Sequence, residues 1–229
     1  MFPATLFDYN GVLADDEAVH LAAFRDALQP LGVEVAEAAY WERYIGFDDV
    51  GAFRAILRDA GKNPSDGEIK GLVEAKRPLY RARAQARLPT FAGASEIVQR
   101  RARSGPVGIV SGALRDEIEL GLEVLQVRKL VQAIISAEDT RAGKPDPEGY
   151  RLGIAELERT LGRDSKRALV IEDSLAGVEA AKAAGLPCVA VTHSYTEQEL
   201  ARAGADWVAP SLDAIDDAAL SSLFSKLYG

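Results

Sequence analysis

Polar residues follow short apolar runs at several places in this 229-residue chain, and their types could do chemistry together. The stretches are LFDYNG (6–11), IVSG (109–112), GKPDP (143–147) and VIEDS (170–174). Among the residues in these stretches are three acids, an amide, a hydroxyl, an ammonium and a turn glycine. These residues are Asp8, Asn10, Ser111, Gly112, Lys144, Glu172 and Asp173.

Such a set fits the transfer of a phosphoryl group. Clustered carboxylates repel one another, and a divalent cation is the usual resolution. Oxygen ligands with no His or Cys nearby favour Mg²⁺. A carboxylate can attack phosphorus to form an aspartyl-phosphate, while the hydroxyl of Ser111, turn amides and the ammonium of Lys144 neutralise the phosphoryl oxygens. Each residue alone has a structural explanation; together they predict a phosphoryl-transfer site.

The elements that must position these residues are short apolar runs and amphipathic segments in alternation. Runs of this kind, neither alternating nor long, are typical of parallel strands buried on both faces. The helix-like segments are 93–104, 114–125 and 174–185, the last beginning after a serine cap and ending at a glycine. The pattern predicts a doubly wound, Rossmann-like α/β core, with ligands at the carboxyl ends of its strands. The runs are ATLF (4–7), VGIV (107–110), AIIS (133–136), ALVI (168–171) and CVAV (188–191).

Residues 16–88 show helical periodicity and no convincing buried strand, and the Pro- and Gly-containing LPTFAG (88–93) follows them. We therefore expect an all-helical domain over 16–88, inserted into an α/β core formed by 1–15 and 89–229.

Composition and charge exclude several classes of function. A net charge of -8 and a pI near 5.0 argue against nucleic-acid binding, and we expect the basic run RRAR (100–103) to be a solvated helix face. The single Cys188 excludes an internal disulfide and is expected to be a buried strand residue. Because neither a signal peptide nor a membrane-spanning apolar stretch is recognisable, we expect a cytoplasmic protein with no membrane partner, as a monomer or weak dimer.

In this order, FDYNGVL, VSG, GKPDP and IEDS resemble the four motifs of the haloacid dehalogenase (HAD) superfamily. The helical insert resembles the cap of its β-phosphoglucomutase-like and phosphoglycolate-phosphatase-like branch. The resemblance implies Mg²⁺-dependent phosphoryl transfer from a small phosphorylated metabolite, with Asp8 as the nucleophile. It implies as metal ligands Asp8, the main-chain carbonyl of Asn10, Glu172 and Asp173, and as phosphate-binding residues Ser111, Gly112 and Lys144.

One position departs from the family pattern. Phosphatases and mutases of this family have an aspartate two residues after the nucleophile, which protonates the leaving oxygen and then activates water. This chain has Asn10 there. The backbone carbonyl still suits a metal, but the amide cannot transfer a proton, and a positioned acid–base group contributes about 10²–10⁴ in rate.

Four interpretations of Asn10 stay open. Another group takes over the proton transfer, with Asp15, Asp16, Glu17 and His20 as candidates. The enzyme acts only on substrates with good leaving groups. Asn10 is a natural or engineered Asp-to-Asn change that stalls the reaction. The protein binds a phosphorylated ligand without turning it over.

Two other branches of the superfamily also lack the aspartate. Metal-free haloacid dehalogenases are disfavoured by the extra charge of Glu172 and Asp173. A phosphonoacetaldehyde-hydrolase-like C–P hydrolase is a weaker alternative, which would use one of the lysines of the insert, Lys62, Lys70 or Lys76.

The insert also bears on the substrate. In β-phosphoglucomutase-like caps, a glycine-containing loop carries a basic residue for a second phosphate. The corresponding stretch here, YIGFDDVG (44–51), has Asp48 and Asp49. Two acids would repel a bisphosphate and tolerate a neutral or cationic substrate end. We expect His20, Phe47 and Asp48 to contact the substrate.

Overall fold

The computed structural model describes residues 2–161 and 167–229, and the chain divides into two compact units. One unit comprises Met1–Ala14 and Thr90–Gly229, and the other comprises Asp15–Pro89. The boundaries lie one residue from those expected at 15/16 and 88/89.

The first unit is built on a parallel sheet with strand order β3-β2-β1-β4-β5-β6 in the described part of the chain. The predicted Rossmann-like α/β fold is therefore confirmed, and each of the five predicted strands is present. A sixth was missed, because it is a three-residue edge strand with two half-buried positions and so lacks a long apolar run. The strands are β1 Thr5–Phe7, β2 Val107–Val110, β3 Val131–Ile135, β4 Leu169–Glu172, β5 Cys188–Val191 and β6 Trp207–Ala209.

The central strand β1 is buried on both faces. Leu6 and Val170 of its neighbour β4 lie in one apolar cluster, whereas Phe7 and Ile171 lie in the other. Successive side chains of a strand point to opposite faces, so an uninterrupted apolar run fills both layers. This packing fixes the backbone that leads directly into Asp8.

The second unit, Asp15–Pro89, is helical and contains no β-strand, as its periodicity predicted. Phe24 and Phe53 meet edge to face in its apolar core, with centroids 4.8 Å apart. Its longest helix begins with a capping box, in which Ser65 and Glu68 accept each other's backbone N–H groups. The helices are α1 Glu17–Leu28, α2 Glu37–Arg43, α3 Asp49–Asp59 and α4 Asp66–Ala86.

The described residues of the first unit also form six helices, the last of which follows β6. One follows β4 directly: its N-cap Ser174 accepts the N–H of Gly177 at 3.0 Å, and Gly185 after its end has φ +76°. Both are the start and stop features that the sequence indicated. The helices are α5 Ala94–Ser104, α6 Arg115–Val124, α7 Glu148–Leu161, α8 Leu175–Ala183, α9 Glu197–Ala203 and α10 Asp217–Tyr228.

The basic run in α5 is not a solvated face throughout, so that expectation is wrong. Arg101 is 1% exposed, and it donates to Thr5 Oγ1 at 2.9 Å and to the Phe2 carbonyl at 3.3 Å. The long side chain of Arg101 extends from α5 to the start of the sheet, where the buried guanidinium donates to a hydroxyl and to a backbone carbonyl.

Cys188 is buried in β5, as expected. None of the helices in the described ranges combines the length and the apolar character needed to cross a lipid bilayer.

Candidate active site

Adjacent strands bring the predicted residues to one edge of the sheet. Asp8 directly follows β1, Ser111 follows β2, and Glu172 is the last residue of β4. The sheet bonding continues past the strand ends, since Asp8 N donates to the Ile171 carbonyl at 2.9 Å. Parallel order thus places these side chains at the carboxyl edge, where α/β folds bind ligands.

Three carboxylates and one ammonium form the centre of this edge. Asp8, Glu172 and Asp173 are all buried, and each offers one ligand oxygen within 4.8 Å of the others. Lys144 Nζ lies 2.8 Å from Asp8 Oδ1 and 2.5 Å from Glu172 Oε1. Side chains from three separate segments of the chain therefore lie together here.

Both carboxylate oxygens of Glu172 accept hydrogen bonds. The Tyr150 hydroxyl donates to Oε1 at 3.0 Å, while Oε2 accepts the N–H of Asp173 at 2.9 Å and the N–H of Ser174 at 3.0 Å. Gly177 is close enough that an added Cβ would lie 1.7 Å from Oε1. Burial opposes ionisation of Glu172, but Lys144 and the backbone donors outweigh it and lower its pKa.

The other two acids are less well compensated. Burial raises the pKa of Asp8 from 3.8 to about 6, with Lys144 opposing and Glu172 reinforcing the rise. Burial, followed by the charges of Glu172 and Asp8, raises the pKa of Asp173 well above its ordinary value. Burial opposes the charge of Lys144 as well, but Asp8 and Glu172 outweigh it and raise the pKa of the ammonium. Because one ammonium faces three buried carboxylates, the donor set fits a divalent cation.

Asn10 and Ser111 meet beside this centre. Ser111 Oγ donates to Asn10 Oδ1 at 3.3 Å and accepts the N–H of Ala113 at 3.2 Å. Gly112, between them in the turn, is exposed. The predicted hydroxyl and amide are therefore neighbours, with turn N–H groups next to them.

Three residues that contact this site or its backbone were not among the predicted site residues. Tyr150 lies inside α7, where nothing in the pattern distinguishes it from a core aromatic. His193 and Ser194 come shortly after β5, and the same strand-end argument that found Asp8 could have found them. His193 Nδ1 lies 2.7 Å from the Gly11 carbonyl, and Ser194 Oγ donates to Asp173 Oδ2.

His20 belongs to a buried polar network of the helical unit. Its Nδ1 lies 2.8 Å from Lys76 Nζ, and its Nε2 lies 3.4 Å from Asp16 Oδ2. Lys76, which is 0% exposed, also donates to Asp49 Oδ1 at 2.5 Å. Tyr80 donates to Asp16 and stacks on the His20 ring at 4.4 Å. The network holds α1, α3 and α4 together through charged groups.

The other two residues expected to contact substrate lie near the start of α3. Phe47 is 56% exposed. Asp48 is the N-cap of α3 and accepts the N–H of Gly51 at 2.7 Å. Asp48 therefore has a structural task, and the neighbouring Asp49 has Lys76 as its partner.

Comparisons with known proteins agree with this arrangement. A family model described as haloacid dehalogenase-like hydrolase matches residues 5–191. The chain belongs to this family. The resemblance read from the four motifs is thereby confirmed.

Among relatives of this HAD hydrolase is validoxylamine A 7'-phosphate phosphatase of Streptomyces hygroscopicus subsp. limoneus. It is 37% identical over 216 residues, which cover 89% of this chain and 92% of that protein. The crystal structure of CbbY from Rhodobacter sphaeroides in complex with phosphate superposes with a TM-score of 0.83 at 26% identity, covering 96% of this chain and 100% of the other.

An aspartate-to-asparagine mutant of the same CbbY, in complex with xylulose-(1,5)bisphosphate, gives a TM-score of 0.80 at 27% identity, with 93% of this chain and 95% of the other covered.

Proposed function

We propose that this protein is a Mg²⁺-dependent phosphatase that hydrolyses a small phosphorylated metabolite through an aspartyl-phosphate on Asp8. The observation that carries the proposal is the buried carboxylate of Asp8, 2.8 Å from Lys144 Nζ and clustered with Glu172 and Asp173. The names of the relatives, which include a phosphatase and complexes with phosphate and a sugar bisphosphate, support the same class.

Asp8 has the charge that nucleophilic attack requires. With a pKa of about 6, it is mostly ionised at neutral pH even before a cation binds. One of its oxygens attacks phosphorus, and the bond from phosphorus to the ester oxygen breaks. Mg²⁺ held by Asp8, Glu172, Asp173 and the main-chain carbonyl of Asn10 would supply positive charge to the phosphoryl oxygens.

Lys144, Ser111 and Gly112 are the proposed phosphate-binding residues. The two carboxylates next to Lys144 hold it protonated, so it offers a fixed positive charge. Ser111 donates to Asn10 Oδ1 at 3.3 Å, a long hydrogen bond that a phosphoryl oxygen can replace. The exposed Gly112 offers its N–H in the same turn.

The proton steps are the unusual part of the proposed reaction. Asn10 can donate a hydrogen bond to the leaving oxygen but cannot protonate it. Of the suggested replacements, Asp16 and His20 contact each other, and Glu17 accepts from the Tyr40 hydroxyl at 2.7 Å. Asp15 is exposed. We therefore propose slow hydrolysis of alkyl phosphates and faster hydrolysis when the leaving group is acidic.

For the substrate class, we propose a phosphomonoester of a small polyhydroxylated molecule with a neutral or cationic remainder. Lys76 already has Asp49 at 2.5 Å and His20 at 2.8 Å, so this buried ammonium is not a receptor for a second phosphate. The relative named as a validoxylamine 7'-phosphate phosphatase suggests such a monophosphate, whereas the CbbY mutant complex contains a bisphosphate.

A comparison of three proteins tests the proposal: the chain itself, Asn10→Asp and Asp8→Asn. Each is assayed with Mg²⁺ on p-nitrophenyl phosphate, whose leaving group is acidic, and on a panel of sugar phosphates. We expect Asn10→Asp to accelerate sugar-phosphate hydrolysis by about 10²–10⁴ and p-nitrophenyl phosphate hydrolysis by less. Asp8→Asn should be inactive on both. Equal rates for the chain and Asn10→Asp would show that position 10 does no proton transfer here.

A phosphorylated-ligand-binding protein without turnover is the second candidate, and Asn10 is the observation that favours it. Such a protein would hydrolyse no ester and form no phosphoprotein, and its melting temperature would increase on adding a sugar phosphate.

A third possibility, C–P hydrolysis through a Schiff base, needs a reactive lysine in the helical unit. Lys62 and Lys70 are exposed, and borohydride trapping with phosphonoacetaldehyde tests all three lysines.

A further inference from the structure

Two consecutive residues after β5 contact the two segments that carry the carboxylate centre. Ser194 Oγ donates to Asp173 Oδ2, which follows β4. His193 Nδ1 lies 2.7 Å from the carbonyl of Gly11, which follows β1. Since a carbonyl oxygen only accepts, the His193 Nδ1 carries the proton of this bond.

Gly11 and Asp173 are also in direct contact with each other. Gly11 has φ +76°, and a Cβ added there would lie 2.1 Å from Asp173 Oδ2. The oxygen that accepts from Ser194 is thus the one that touches the Gly11 backbone. The segments that follow β1, β4 and β5 are therefore in contact with one another at this point.

The His193 ring is itself held in place. It stacks on Phe91 with the ring centroids 3.9 Å apart and the planes 9° apart. Phe91 is bonded in turn to the segment after β1, because its N–H donates to the Leu13 carbonyl at 3.2 Å. The imidazole therefore has both its position and its donor direction fixed.

We propose that His193 and Ser194 are positioning residues for the cation of the proposed phosphatase site. Ser194 holds Asp173 Oδ2, so that Oδ1 is left for the cation. His193 holds the Gly11 carbonyl and so fixes the backbone that follows Asn10, whose carbonyl is the proposed backbone ligand. Partners that orient metal ligands in this way are worth about 10–100-fold in metal affinity or activity. The inference rests on the cation site of the proposed function, but not on phosphatase turnover.

Binding of Mn²⁺ alone, followed by the electron paramagnetic resonance signal of the free ion, tests the role of Ser194 without any substrate. We expect Ser194→Ala to weaken Mn²⁺ binding about 10-fold or more, Ser194→Cys, with its weak S–H donor, to lie between, and Ser194→Thr to restore binding to within about threefold. The matched control is Thr192→Val, because Thr192 Oγ1 donates only to the Pro210 carbonyl among the bonds seen in this loop.

His193 is tested by two substitutions that separate its ring from its donor. His193→Phe keeps the stacking on Phe91 but removes the N–H, whereas His193→Asn keeps a donor near the same place. We expect weakened Mn²⁺ binding in the first and near-normal binding in the second. In turnover, Ser194→Ala should raise the Mg²⁺ concentration needed for half-maximal rate and leave KM at saturating Mg²⁺ unchanged.

The outcomes separate this inference from the proposed function. Folded Ser194→Ala that binds Mn²⁺ within about twofold of the unaltered chain would overturn the inference, since a water molecule then replaces the hydroxyl at no cost. If Ser194→Ala does not fold, equal affinity in Ser194→Cys and Ser194→Thr would overturn it. A chain that binds no Mn²⁺ would overturn it too. If the unaltered chain and the Ser194 variants bind Mn²⁺ with the predicted order of affinities, but the unaltered chain hydrolyses no ester, the inference is supported and the phosphatase proposal is contradicted.

Discussion

Replacing Asp8, the proposed nucleophile, by asparagine should stabilise the cation-free protein. Asp8 is 7% exposed and lies among other buried charges, and its carboxylate is more costly to ionise in the folded protein than in the unfolded chain. Asp8→Asn keeps the shape of the side chain and removes the ionisation. The free energy of unfolding should therefore increase while activity is lost, because buried charges that serve a functional site usually reduce the stability of the fold.

The magnitude follows from the pKa of Asp8, which rises from 3.8 to about 6. A group whose folded pKa is raised contributes stability below its unfolded pKa, and this stability is lost as the pH rises through the folded value. At about 1.4 kcal/mol per pKa unit, the loss is about 3 kcal/mol at about pH 7.5 and roughly half of that at about pH 5. Asp8→Asn should therefore raise the free energy of unfolding by up to about 3 kcal/mol at the higher pH, and by roughly half of that at the lower.

Urea unfolding in EDTA at the two pH values measures this difference, with Glu123→Gln as the control. Glu123 is exposed on α6, so its substitution changes the net charge equally without entering the site. If Asp8 is a ligand of the proposed cation site, saturating Mg²⁺ should reverse the order, because the cation then stabilises the unaltered chain more than Asp8→Asn. Equal stability of the chain and Asp8→Asn at both pH values, or a gain that is larger at low pH, would refute the assigned pKa shift and the reasoning built on it.

Two further predictions concern positions where a small change meets a buried charge. Asp49→Ala should destabilise the helical unit by about 3 kcal/mol, since it leaves the ammonium of Lys76 buried without its carboxylate; the adjacent Asp48→Ala, which loses only a helix cap, should cost about 1 kcal/mol in the same urea titration. Gly177→Ala should lower Mg²⁺ affinity at least about 10-fold in calorimetric titration, because the new methyl displaces Glu172; unchanged affinity would show that Glu172 does not contribute to the cation site.

Much of the site can be predicted from the ends of the strands, because strand ends are local features of the sequence. A buried parallel strand is an apolar run, and its carboxyl end is where a polar side chain can reach solvent and ligand. Asp8, Ser111 and Glu172 are recognisable in this way from the sequence alone. Which strands are neighbours is not local, and the order β2-β1-β4 is what turns three separate strand ends into one cluster.

Other features depend on contacts that no spacing encodes. Lys144 lies in a loop, and only the fold brings its ammonium between Asp8 and Glu172. Arg101 looks like the exposed Arg103 in sequence, yet its side chain is buried and donates to Thr5 at the start of the sheet. Asp49 was expected, with Asp48, to repel a second phosphate, whereas Lys76, 27 residues later, donates to its carboxylate. In each case the partner, and not the residue type, determines the role.

Asn10 determines which step of the proposed reaction should be slow. The proposed attack step needs an ionised Asp8 and positive charge near the phosphoryl oxygens. A pKa of about 6 leaves Asp8 mostly ionised at neutral pH, and the Lys144 ammonium lies 2.8 Å from it. Protonation of the leaving oxygen and activation of water need a group that can exchange a proton, and an amide bonded to Ser111 at 3.3 Å cannot. In the proposed reaction, water attacks the aspartyl-phosphate in the second of these steps, so the phosphorylated protein should accumulate. Rapid mixing with p-nitrophenyl phosphate should then show a burst of one equivalent of nitrophenol per active site, followed by a slow phase that Asn10→Asp abolishes; a linear time course from the start would show that the intermediate does not accumulate.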